Sequence, residues 1–148
     1  MKLTFWFFRT AAAILLITSL AKIYSATGRA QILLMLDPLF GITNKHLMLI
    51  VGGLELLGAL FLLVSRDNLM RALLILWLSS NFMFYHAVSD MMNVKVCPCL
   101  GNLAAKLPFS PQQVSNLLTF SVLFLFLGST TLVLQRWSES TSNRLVGS

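Results

Sequence analysis

Four runs of apolar residues, each close to the length that crosses a lipid bilayer, constrain this chain more than any other feature. A spanning helix needs about 20 consecutive, mostly apolar residues, because every backbone N–H and C=O must find its partner inside the hydrocarbon. The first run extends from about Phe5 to Ile23, with Lys2 outside it and Arg9 one turn in. The second, His46 to Val64, is ended by Arg66-Asp67-Asn68, and the third, Leu69 to about Val88, follows almost at once. That short link predicts a tight antiparallel hairpin. The fourth begins after Pro111 and ends near Leu134, where Gln135-Arg136-Trp137 reads as an interfacial stop. Ser110 and Gln113 fit a capping box at its start, and Pro111 fits the first helical position. The expected fold class is an all-α membrane protein: four transmembrane helices in an antiparallel bundle, a single integral-membrane domain over residues 1–148, with two longer connectors on one face.

Composition enters as a filter on function. With 57% hydrophobic and 11% charged residues the chain is not an ordinary soluble domain. Its net charge of +6 is scattered at the ends of apolar runs, which suits lipid headgroups and not a nucleic-acid face. The expected surroundings are a lipid bilayer, with no nucleic acid. The first run also admits a second reading, because Lys2 and Arg9 followed by an apolar stretch to Ser19-Leu20-Ala21 has the form of a cleaved signal peptide. Phe5-Trp6-Phe7-Phe8 extends the apolar surface beyond Arg9 and favours a retained helix.

The connectors carry the chemistry. Ala30 to Gly41 holds Ile32 to Leu36, too short to span, followed by Asp37-Pro38, and predicts a short helix lying in the interface. Ser89 to Ser110 holds Asn102 to Lys106, expected to make one or two helical turns capped by Asn102, and both cysteines of the chain, in Cys97-Pro98-Cys99-Leu100-Gly101. A disulfide needs its Cα atoms roughly 4.4–6.8 Å apart, so an i,i+2 pair closes only if the chain bends, and Pro98 resists that bend. The oxidised form is expected to be strained and therefore exchange-prone. As a structural staple it would contribute little, because so small a loop removes little unfolded-state entropy. Lys95 and the expected Asn102–Lys106 turn favour a thiolate at the pair. Two alternatives stand beside exchange: a soft-metal site in which Cys97 and Cys99 hold Cu(I), and incidental thiols in a structural subunit.

Two further residues are weaker candidates. Glu55 falls mid-way along the second run, where an ionised carboxylate is costly. Gly52, Glu55 and Ala59 share a face, bordered by Gly58, so a second helix can come close. By depth, Ser79 to Asn81 lie near it, and Arg9 is a candidate partner from the terminal side. Glu55 reads either as a buried polar clamp or as a proton acceptor linked to a redox step. His86 lies close in depth to the cysteine connector and is a candidate for deprotonating a thiol, against the plainer reading of an anchored interfacial imidazole. His46 is weaker still. Lys2, Arg9, Arg66, Arg71, Arg136 and Arg144 mark the terminal face; Lys22, Arg29, Lys45, Lys95 and Lys106 mark the connector face. The first set is denser in short segments, which favours both termini in the cytoplasm and the cysteines outside, where disulfide chemistry is at home in a bacterial-type cell.

Lys22 ending the first helix, Gly52-Gly53-Leu54-Glu55-Leu56 in the second, and a C-x-C-x-G motif before the fourth resemble the MauE/DoxX group of small membrane proteins. The resemblance covers roughly residues 5 to 135, with Leu100 where MauE members usually carry Phe. It implies a redox role with a thioredoxin-like extracytoplasmic partner in disulfide formation, and carries only Cys97 and Cys99 over as site residues. No residue here supports methylamine metabolism as the setting. One thiol pair serves one exchange site, so a second electron carrier has to be a quinone, another cofactor or another protein.

Overall fold

The computed structural model describes residues 2–28, 31–37, 39–92 and 111–146. Four helices dominate them: α1 (Lys2–Ala26), α2 (Asn44–Val64), α3 (Asn68–Met91) and α4 (Pro111–Val146). Each is long and apolar enough to cross a membrane, and the chain is an all-helical integral membrane bundle. The 21 residues of α2 rise about 31 Å, the thickness of a bilayer's hydrocarbon core. Helix α4 begins at Pro111, as expected, but does not stop near Leu134. It runs for 36 residues, about 54 Å, because nothing between Gln135 and Val146 breaks a helix. Its apolar span is confined to Asn116–Ser138, so the remainder is a polar extension of the same helix.

Small residues decide which helices meet. α1 packs along α2, and α3 along α4. At the first interface Gly52 faces Ser19, Lys22 and Ile23; a Cβ there would stand 3.1 Å from Ile23 Cγ1, and the Ser19 hydroxyl donates to the Gly52 carbonyl at 2.8 Å. Backbones this close are what small residues permit in a bundle that gains nothing from hydrophobic exclusion of lipid. Phe8, Ala11, Ala12 and Leu15 of α1, Ala59 and Leu62 of α2, Ala72, Ile75 and Leu78 of α3 and Leu125 of α4 form the common core. Ser79 and Ser129, also buried, return their hydroxyls to the carbonyls of Ile75 and Leu125, both at 2.7 Å, and so need no partner across the interface. Trp6, Ile17, Leu57, Phe84, Phe120 and Leu127 lie exposed on the outside, where lipid takes the place of water.

The expected tight hairpin of α2 and α3 holds only at its closed end. Three residues, Ser65–Asp67, join them, and Asp67 Oδ1 accepts from Leu69 N at 2.9 Å as α3 begins. Beyond that turn the two helices touch little. The reason lies in the space between them, a cavity at the opposite end of the pair.

The first connector also differs from expectation. In place of an interfacial helix over Ile32 to Leu36 it forms one 3-10 turn, Gln31–Leu33, then an antiparallel bridge between Leu36 and Thr43. Asp37 N donates to Ile42 O at 2.7 Å, and Gly41 N to Asp37 O at 2.9 Å. Gly41 takes a positive φ of 64°, which a glycine adopts without steric cost. A run that ends in Asp-Pro and is followed by such a glycine closes into a tight turn sooner than it extends a helix. Leu33 is buried beside Ala26 and Met48, while Leu34, Met35 and Leu36 are exposed, as residues at a lipid interface are.

Candidate functional site

Glu55 is a buried carboxylate mid-way along α2, and its partner is Lys22. The carboxylate is 3% exposed and the ammonium 12%, and Lys22 Nζ donates to Glu55 Oε1 in an ion pair between α1 and α2. Arg9 does not reach it: its guanidinium lies 4.5 Å from the Phe5 ring centroid, on the outside of α1. The geometry follows from Gly52. Because it brings α2 against Ser19 and Lys22, the residue one turn further along α2 meets the side chain of Lys22 as that side chain turns inward. Lys22 Nζ also stands 5.0 Å from the Phe82 ring centroid, a cation–π contact that ties the pair to α3.

Half of the carboxylate is unserved. Glu55 Oε2 is buried with no hydrogen-bond partner among the described residues. Thr18 borders the carboxylate, but its hydroxyl donates to Ile14 O at 3.0 Å and would have to rotate to serve Oε2. A buried carboxylate oxygen without a donor costs a kcal/mol or more, and such an atom in a native fold asks for a ligand or a water.

Glu55 and Lys22 line a cavity of about 580 Å³. Its sides are the halves of α2 and α3 remote from their link, with Leu54 on one side and Trp77, Asn81 and Phe82 on the other. Leu15 and Thr18 of α1 and Ser121 and Val122 of α4 close it behind. The walls are almost wholly apolar. Trp77 and Phe84, which line it, are also exposed on the lipid-facing surface, so the space is continuous with the outside of the bundle between α2 and α3. At 580 Å³ it falls in the range of about 300–1,000 Å³ typical of small-molecule sites.

The end of the cavity furthest from the α2–α3 link is bounded by the first connector. Asp37, buried, accepts from Leu39 N at 2.9 Å and Phe40 N at 3.1 Å through Oδ1, and from the Tyr85 hydroxyl at 2.7 Å through Oδ2. Phe40 stacks on the Tyr85 ring with centroids 6.4 Å apart. This clasp holds the connector against the last turns of α3, so the C-terminal part of α3 and the first connector lie at one end of the bundle. His86 follows Tyr85 on that wall, in edge contact with its ring at 6.3 Å, and lines the cavity. His46 is exposed, with Nδ1 2.6 Å from Thr43 Oγ1, and takes no part in the cavity.

Of the residues singled out from the sequence, Glu55 and His86 therefore line the same space. Ser79 is buried and turned back on its own helix, Ser80 is exposed and likewise bonded to Leu76 O, and Asn81 lines the cavity. Cys97 and Cys99 lie outside the described residues, as do Lys95, Asn102 to Lys106 and Ser110. Lys22, Asp37, Tyr85 and Trp77 were not assigned to a site from sequence. Lys22 and Asp37 carried a signal, since each is a charge beside or within an apolar run, but sequence alone does not say which of two distant charges meet.

The fold and this site define a class: a four-helix integral membrane protein with a buried lysine–glutamate pair on an apolar cavity open toward lipid. No family model, no curated protein and no solved structure matches the chain.

Proposed function

We propose that the chain is a membrane redox protein that exchanges thiol and disulfide equivalents through Cys97 and Cys99 with a thioredoxin-like extracytoplasmic partner, the role that its resemblance to MauE implies. The observation that carries this reading is the Cys-Pro-Cys sequence itself, held in the connector between two membrane helices. That connector leaves α3 at Met91 and enters α4 at Pro111, and the last turns of α3 are pinned by the Asp37–Tyr85 bond. In one exchange the Cys97 thiolate attacks a partner disulfide and forms a mixed disulfide, releasing one partner thiolate. Cys99 then attacks the Cys97 sulfur, the partner leaves as a dithiol, and the Cys97–Cys99 disulfide remains. The reverse sequence donates the disulfide to a reduced partner.

The pairing of Lys22 supports the proposed orientation, with both termini in the cytoplasm and the protein in a bacterial-type inner membrane. Lys22 belonged to the connector-face charges, but it is neutralised within the bundle by Glu55. A lysine turned into the bundle is not a loop charge, so the connector-face cations that the rule counts fall by one.

Trapping tests the reading. In the Cys99→Ser variant the mixed disulfide through Cys97 cannot resolve, so a covalent adduct with a thioredoxin-fold protein should accumulate in cells and disappear on reduction. Absence of any reducible adduct in that variant rejects the exchange role. The Lys22–Glu55 pair also favours a second reading, because as a clamp between α1 and α2 it needs no redox chemistry. A purely structural subunit, or one holding Cu(I), would tolerate this test without forming an adduct. Competition with a Cu(I) chelator separates the last two.

A further inference from the structure

Among mostly apolar and aromatic side chains, the cavity wall presents the Lys22 ammonium and a Glu55 carboxylate oxygen with no donor among the described residues, with Thr18, Asn81, Tyr85, His86 and Ser121 also on the wall. An acyl chain would fill the walls but leave Glu55 Oε2 as it stands. An anionic headgroup would bring a second negative charge beside Glu55. A hydroxyl on an aromatic ring would donate to Oε2 with its ring among Trp77 and Phe82, and a ring carbonyl would accept from Lys22. A quinone–quinol couple uses both halves of the pair, the carbonyl form on Lys22 and the hydroxyl form on Glu55 Oε2.

We propose that this cavity binds the headgroup of a lipid-soluble quinone, entering between α2 and α3, with Lys22 donating to a carbonyl of the quinone and Glu55 accepting from a hydroxyl of the quinol. The assignment rests on the thiol reading for its reaction but not for its binding. The connector that bears the cysteines joins the wall of α3 that includes Tyr85 and His86 to the wall of α4 that includes Leu118 and Ser121. In the reaction, the Cys97 and Cys99 thiols give up two electrons and two protons and form one disulfide. The quinone takes up the same two electrons and two protons and becomes the quinol.

Trp77 provides the readout because it lines the cavity. The full chain in lipid nanodiscs, with Trp6→Phe and Trp137→Phe, leaves Trp77 as the one indole, and decylubiquinone is titrated into the oxidised protein. Saturable quenching is expected. The paired substitution Lys22→Met with Glu55→Leu removes the ion pair as a unit, which costs little in stability, and should raise the apparent Kd at least tenfold. Val122→Trp fills the cavity from α4 while leaving Lys22 and Glu55 in place and should abolish binding, read by co-purification of decylubiquinone with the detergent-solubilised protein. Quenching that rises linearly without saturation, or that oleate reverses as readily as excess quinone does, overturns the assignment. Reduced protein should convert one quinone per two thiols lost, followed by the fall in quinone absorbance. Saturable binding without that conversion keeps the quinone site and removes the thiol coupling. Thiol exchange with a partner but no saturable quenching does the opposite.

Discussion

Lys22 and Glu55 bring opposite charges into the interior of the bundle, and each is tolerable only because of the other. Removing one strands the other, at a cost of about 3–5 kcal/mol in a buried setting. Lys22→Met should therefore lower the stability of the micellar protein by about 3 kcal/mol, seen as an earlier midpoint in sodium dodecyl sulfate titration. Adding Glu55→Leu should recover most of the loss, and a double variant as unstable as the single one would show that the charges do not act as a pair. Asp37 makes a second test of a buried carboxylate. Tyr85→Phe deletes the donor to Asp37 Oδ2 and should cost about 1–3 kcal/mol, expressed locally as faster amide exchange over Leu36–Thr43. Unchanged exchange there would mean the clasp does not hold the connector. Glu55 was legible as an anomaly because a carboxylate mid-way along an apolar run has no cheap explanation. Its partner was not, since Lys22 near the end of α1 looks the same whether it snorkels outward or turns in. Arg9, the partner expected from the terminal side, stacks on Phe5 instead.

At the scale of the elements, glycines next to each other in sequence have opposite roles. Gly52 packs against α1, whereas a Cβ at Gly53 would meet nothing within 4 Å. Gly52→Leu should separate α1 from α2, break the Ser19 bond to the Gly52 carbonyl and destabilise the protein by at least 2 kcal/mol, as overpacking of a tight interface does. Gly53→Ala should be neutral or stabilise by up to about 1 kcal/mol through helix propensity. Equal effects at the two positions would contradict the helix pairing. The apolar runs announced all four helices, and the spacing of small residues the packing face of α2, because length and residue size are local properties. The splaying of α2 from α3 was hidden, since a short link constrains only the ends it joins. The far end of α4 was misjudged for a related reason: an interfacial Arg-Trp marks where the membrane stops, not where hydrogen bonding along the helix stops.

For the whole molecule, the decisive property is sidedness. In the orientation proposed above, with both termini in the cytoplasm, the link between α2 and α3 would face the same way as the termini, and the connector between α3 and α4 would face out. A membrane-impermeant maleimide should label reduced Cys97 and Cys99 in intact cells. In a Cys97→Ser, Cys99→Ser background, Asp67→Cys should be labelled only after permeabilisation. The reverse pattern would put the thiols in the reducing cytosol and remove the exchange role. The bundle itself could be read from hydropathy, but the cavity could not, because it is made by four helices failing to close around one ion pair. The measurement that bears most directly on the whole account is a redox titration of the Cys97–Cys99 pair in the membrane-embedded protein. Aliquots equilibrated across glutathione poises are quenched with an alkylating mass tag and weighed. The account predicts a single reversible two-electron transition from two tags to none within one molecule. Two tags at every poise, or a loss of tags that reduction does not restore, would contradict it.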